Sequence, residues 1–174
     1  MDYQSVEIPS FPKMLETLLG EKFFNLDKQS NIPWIIQLIE NPKSPIALPG
    51  KISLDNHDCL HLLLNRDVSP QDEAFVIGFT MGNDPKTNWV HLLIFKFFAR
   101  FLYPAPYKFN QQHLKIFDLG FLYGRKLSLK SPNLNQIDFR LYYNKTLEEL
   151  RLSFGINWEE IELLTKFEHW LLES

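Results

Sequence analysis

The chain has 174 residues, 45% of them hydrophobic and 22% charged, a length and balance that suit one folded domain over 1–174. A net charge of −3, with no long run of Lys or Arg, excludes the phosphate-neutralising surface that nucleic acid requires. The single cysteine, Cys59, excludes an internal disulfide and a cysteine-built zinc site, and it suits a reducing, cytoplasmic setting.

The acidic, polar start, MDYQSVEIPS, lacks the features of a signal peptide. Apolar residues recur at helical spacing and β-branched alternation is scarce. The expectation is an all-α bundle of about seven to eight helices. A first helix is expected over 11–26, capped by Ser10 with Pro12 in its first turn, and a second over 33–40. Three prolines and a glycine make 41–50 a loop. The third helix runs over 54–65 from a Ser53 cap, and Arg66-Asp67-Val68 form a turn. The fourth starts with Ser69 as cap, Pro70 in the first position and Asp72 and Glu73 in the first turn. It is expected to reach Met81 and to end at Gly82-Asn83-Asp84-Pro85.

The fifth helix, over 87–103, has a narrow polar stripe of Lys96, Arg100 and Tyr103 and is otherwise apolar. Such a helix is buried or meets lipid. Its apolar run falls short of the ~20 residues that span a bilayer. A sixth helix covers 111–123, and the cationic Tyr123-Gly124-Arg125-Lys126 reads as a solvated loop. The seventh ends at Phe154 because Gly155 is a good left-handed terminator, and Thr146 to Glu149 offers a capping box after a break near Asn144. The last begins at Asn157 with an apolar stripe of Trp158, Ile161, Leu164, Phe167 and Leu171.

The chemistry concentrates in Asp55-Asn56-His57-Asp58-Cys59-Leu60-His61. Four residues apart on a helix, His57 and His61 lie one above the other. Asp58 joins them within about 100° of arc, and Cys59 points away into the core. A short connection then brings Glu73 level with the histidines. Two imidazoles plus carboxylates suit zinc or ferrous iron, and such a set can keep a position open for water or substrate. The plainer alternative is a pair of imidazoles bonded to backbone or carboxylate. A zinc-protease signature would have Glu where Asp58 stands. His91 reads as a core histidine, and His113 and His169 lack partners at ligand spacing. The chain has no Gly-rich phosphate loop and no Gly-x-Ser-x-Gly elbow.

His57-Asp58-x-x-His61, eleven residues, then Glu73 is similar to the His-Asp-x-x-His-x11-Glu motif of the coenzyme Q biosynthesis protein 4 family. Leu122-Tyr123-Gly124-Arg125-Lys126 resembles the family's glycine-basic segment. Tyr142-Tyr143, Leu147-Glu148-Glu149-Leu150-Arg151 and Phe154-Gly155-Ile156 resemble its closing pattern, so the likeness covers about 54–156. The chain is a divergent relative in this reading: Ser53-Leu54-Asp55-Asn56 precedes the motif in place of basic and aromatic residues, Asp72 replaces a glycine, and about 18 residues follow the Gly-Ile end.

The resemblance implies an all-helical fold and a divalent metal, usually zinc with iron as the alternative, on His57, Asp58, His61 and Glu73. It implies a role in ubiquinone biosynthesis: oxidative removal of the C1 ring carboxylate of a prenylated aromatic precursor. It implies peripheral attachment to a membrane surface, prenyl-lipid binding, partnership with other quinone-biosynthesis enzymes and a homodimer. Asp58 and Glu73 would share the roles of metal ligand and proton acceptor, in either order. Phe95, Phe98, Phe101 and Leu102 are the residues for a prenyl groove, and a plain core would use them equally well. A metal-dependent decarboxylase or hydroxylase and a non-catalytic, lipid-binding scaffold with a structural metal are the two functional readings.

Overall fold

The computed structural model describes residues 11, 13, 14, 17, 48–103, 105 and 108–173. All regular elements there are helical, and no strand occurs among the described residues. They contain six α-helices: α1 (Leu54–Leu63), α2 (Pro70–Asn83), α3 (Trp89–Phe97), α4 (Gln111–Ser128), α5 (Leu147–Ser153) and α6 (Trp158–Glu173). The helix expected over 33–40 lies outside the described residues, as does most of 11–26 and of the loop over 41–50. Residues 11, 13, 14 and 17 are helical, and the side chain of Phe11 is buried in the core.

Local chemistry sets the helix ends around the histidines. The Ser53 hydroxyl accepts from the Asn56 amide to start α1. Asn65 adopts φ 54°, and the Arg66 amide reaches back to the His61 carbonyl at 2.8 Å, closing α1 in a left-handed terminating turn. Ser69 accepts from the Asp72 amide at 3.1 Å to start α2.

As expected, α2 ends within Gly82-Asn83-Asp84-Pro85, at Asn83 with Asp84 as its C-cap. Gly82 is a packing residue. A Cβ at Gly78 or Gly82 would stand 2.1 Å from the carbonyl oxygen of Phe117 or Phe121 on α4. Reciprocally, Gly120 and Gly124 of α4 lie against the backbone of Phe75 and Phe79. Gly78 meets 117–121 and Gly82 meets 121–125, so α2 and α4 ascend in parallel with their backbones touching. This contact also explains why Tyr123-Gly124-Arg125-Lys126 is helical rather than a loop, with Tyr123 and Gly124 buried. Phe75, Phe79 and Phe117 are fully buried beside the glycines, each contributing about 1.5–3 kcal/mol of burial.

The segment expected as one helix over 87–103 is α3 followed by a π-helical turn, Phe98–Leu102. Within α3 and that turn only Phe95 and Ala99 are buried. Trp89 is 70% exposed, Phe97 55% and Phe101 61%, and Val90, Leu93, Ile94 and Leu102 are exposed beside them. His91, expected in the core, instead accepts from the Asn88 amide at 3.2 Å in a capping box, and His113 does the same for Asn110 at the start of α4. No helix among the described residues is long and apolar enough to cross a membrane.

Two short 3-10 turns, Leu134–Gln136 and Phe139–Tyr142, lead to α5. The expected capping box forms, with the Glu149 carboxylate accepting from the Thr146 amide at 2.8 Å. Gly155, at φ 70°, ends α5. In α6 the buried face is Ile161 and Glu168, while Trp158 and Phe167 of the expected apolar stripe are exposed.

Candidate metal centre

One helical turn separates His57 from His61, and their rings stand 4.8 Å apart at 66°. The connecting segment 64–69 carries the chain round so that Glu73, in the first turn of α2, faces both imidazoles. Its carboxylate oxygens lie 3.5 Å from His57 Nε2 and 3.5 Å from His61 Nε2. One donor atom from each of the three residues falls within 4.8 Å of the others. Bonds of about 2.0–2.2 Å at a tetrahedral angle put neighbouring ligand atoms about 3.3–3.6 Å apart, a spacing that the two imidazole-to-Glu73 separations match, so the three residues form a group that could hold one metal ion.

The hydrogen bonding of His61 favours the same use. Its Nδ1 lies 2.7 Å from the carbonyl oxygen of Asp67. A carbonyl can only accept, so Nδ1 carries a proton, and Nε2 is the ring nitrogen that faces Glu73. That Nε2 atom is buried and has no hydrogen-bond partner. A lone pair facing a carboxylate oxygen is stable only with a cation between them, a proton or a metal ion. His61 is fully buried and the Glu73 side chain is 26% exposed, so the centre is walled by α1 and open on the Glu73 side.

Asp58 is placed differently from the other three. It is buried, and its Oδ1 lies 3.8 Å from Nδ1 of His57, on the ring edge away from Glu73. One residue past His57 on α1, its side chain projects about 100° further round the helix. It therefore sits behind an imidazole, where carboxylates commonly orient metal-binding histidines. Cys59 is buried in the core, as expected.

Three supports of the centre carry no local sequence signal. The carbonyl of Asp67 is backbone. The Arg151 side chain donates to the carbonyls of Leu62 and Leu63 at 2.9 and 2.8 Å, closing the end of α1 from α5. The Arg66 guanidinium is buried, forms a bidentate pair with Glu168 of α6, and lies 3.6 Å over the ring of Phe75. Glu168 had one legible clue: it occupies a position on the same helix face as Ile161 and Leu164.

The residues expected to hold a prenyl chain do not share one environment. Phe95 is buried and stacks on Phe117 at 4.9 Å, Phe98 is half-buried, and Phe101 and Leu102 are exposed. Comparison with protein-family models, curated proteins and solved structures finds no match to the chain.

Proposed function

We propose that the protein binds one divalent ion, zinc or iron, through His57, His61 and Glu73, and acts in quinone biosynthesis on a prenylated aromatic acid, removing its C1 carboxylate oxidatively. The observation that carries the metal reading is the convergence of three donor atoms within 4.8 Å, one of them on an imidazole already oriented by the Asp67 carbonyl. The spacing of His57, Asp58, His61 and Glu73 supports the choice of pathway. Three protein donors leave a coordination position for substrate, which favours a catalytic over a structural ion.

A bound ion of this kind supplies Lewis acidity, and iron adds redox capacity. The protein's part is to orient and to move protons. Asp58 stands behind His57, 3.8 Å from its Nδ1, and Glu73, on the open side, is the carboxylate nearest to where substrate would enter. Such a decarboxylation consumes dioxygen and two electrons from an external donor; one oxygen atom becomes the ring hydroxyl, the other leaves as water, and carbon dioxide departs.

The exposed apolar face of α3 and the π-helical turn favours a second element, docking on a lipid surface that holds the prenylated substrate. A non-catalytic scaffold would use the same face. The deciding experiment supplies a ring-carboxyl-labelled prenylated aromatic acid to metal-loaded protein. Release of labelled carbon dioxide by wild type and none by His61→Ala supports the enzyme. Metal binding without release leaves the scaffold.

A further inference from the structure

We propose that Glu168, on the last helix, is a positioning residue of the metal centre, acting through Arg66 on the carbonyl that orients His61. The proposal deepens the metal reading above and rests on it.

Arg66 stands at the junction of three parts of the centre. Its backbone amide bonds the carbonyl of His61 itself, at 2.8 Å. The residue after it, Asp67, supplies the carbonyl that accepts from the His61 ring. Its guanidinium lies 3.4 Å from Asp72, the neighbour of Glu73 in the chain. The direction of that guanidinium is fixed from the far end of the sequence, by Glu168, 102 residues on, with Nη1 to Oε2 at 2.7 Å and Nη2 to Oε1 at 2.5 Å. Both side chains are nearly excluded from water. A two-point bond between planar groups fixes orientation as well as distance. It therefore holds the turn 64–69 against α6 and sets where the Asp67 carbonyl points.

A buried pair is weak evidence for stability, because desolvation offsets its attraction. Fixing the geometry of a site is the use that repays it here. Groups that orient metal-binding histidines alter affinity by about 10–100-fold when changed, and Glu168, one link further out, is expected near the lower end.

The test uses the full chain and cobalt(II) as the probe. Glu168→Gln keeps the shape and removes the charge. The expected result is a roughly tenfold loss of cobalt affinity with a changed visible ligand-field spectrum. In the metal-free protein, nitrogen NMR should find His61 protonated on Nδ1 in wild type and a mixture of ring forms in the variant. Glu160→Gln, which removes an exposed ion pair of the same helix with Lys126, should change neither readout. If Glu168→Gln does not fold, both readouts are taken on Arg66→Met/Glu168→Leu, which leaves no buried charge unpaired. Wild-type cobalt affinity, spectrum and His61 ring form in the folded variant overturn the proposal. Cobalt binding by neither protein overturns the metal reading, and the His61 ring form then still decides whether Glu168 positions it.

Discussion

His61 and Asp67 are joined by a ring-to-backbone hydrogen bond of 2.7 Å, made by a histidine that solvent does not reach. The bond turns the other ring nitrogen toward Glu73, 3.5 Å away. With Nε2 unprotonated, this places two electron-pair donors face to face.

Removing the charge of Glu73 should therefore separate metal binding from folding. In Glu73→Gln the amide can donate to His61 Nε2, so the metal-free protein should melt no lower than wild type. Zinc affinity should fall by at least tenfold, read by competition with a chelating dye. A variant that keeps wild-type affinity would remove Glu73 from the site.

Metal content gives the complementary measurement. Elemental mass spectrometry of the purified protein should find about one zinc or iron per chain, and none in His57→Ala or His61→Ala. Loading with either ion should raise the melting temperature in proportion to affinity, and the two alanine variants should lose that response.

The backbone contact between α2 and α4 predicts a steep response to one methyl group. Gly78→Ala or Gly120→Ala puts Cβ 2.1 Å from a carbonyl oxygen. Each should cost about 1–3 kcal/mol or more in urea unfolding. Gly155→Ala meets nothing nearer than 3.8 Å and bears only the left-handed backbone, at φ 70°, so about 1 kcal/mol is expected. Equal costs at all three positions would refute the close approach.

Burial holds the His113 imidazole below its ordinary pKa of 6.5. Its Nδ1 accepts from the Asn110 amide, which requires the neutral ring. The unfolded chain then binds the extra proton first. The His113 contribution is complete above pH 6.5 and is lost as pH falls through that value toward the lower folded pKa. Melting temperatures of wild type and His113→Gln, measured across pH 5 to 8 with chelator present, should show the smaller acid-side slope in the variant.

The exposed apolar face of α3 and the π-helical turn should bind phospholipid vesicles. Phe97 of α3 and Phe101 of the π-helical turn are exposed, while Lys96 pairs with Asp118 and the Arg100 guanidinium donates to the Phe109 carbonyl. Phe97→Glu/Phe101→Glu should abolish flotation with such vesicles and change stability by no more than about 0.5 kcal/mol, since both side chains are mostly exposed. Failure of the wild-type protein to float would remove lipid as the occupant.

Features written in short-range chemistry were legible in the residues. Ser53, Ser69 and Thr146 cap the helices that their positions announce, and the four-residue step from His57 to His61 puts both rings on one face. The all-α class followed from the same periodicity. Glycine serves both as a helix stop and as a contact surface, and at Gly82 only the α4 backbone shows the second use. The pair Gly78/Gly82 matched with Gly120/Gly124 at the same four-residue spacing is the signal that distinguishes the second use. For α3, periodicity identified the shared apolar face but not whether anything covers it. His91 and His113 each follow an asparagine by three residues, a spacing that marks a capping box as Ser-x-x-Glu does. Of the four residues expected to gather on the metal, His57, His61 and Glu73 converge, and Asp58 lies behind His57, about 100° further round the helix.

The pair of Arg66 and Glu168 also has a bearing on the order in which the protein is made. All three converging donors, His57, His61 and Glu73, leave the ribosome within a stretch of 17 residues, while their tie to α6 arrives 102 residues after Arg66. A nascent chain thus presents two imidazoles and a carboxylate well before the helix that fixes their geometry exists. Ion capture during synthesis would be loose and reversible, and tight retention would come with docking of the final helix.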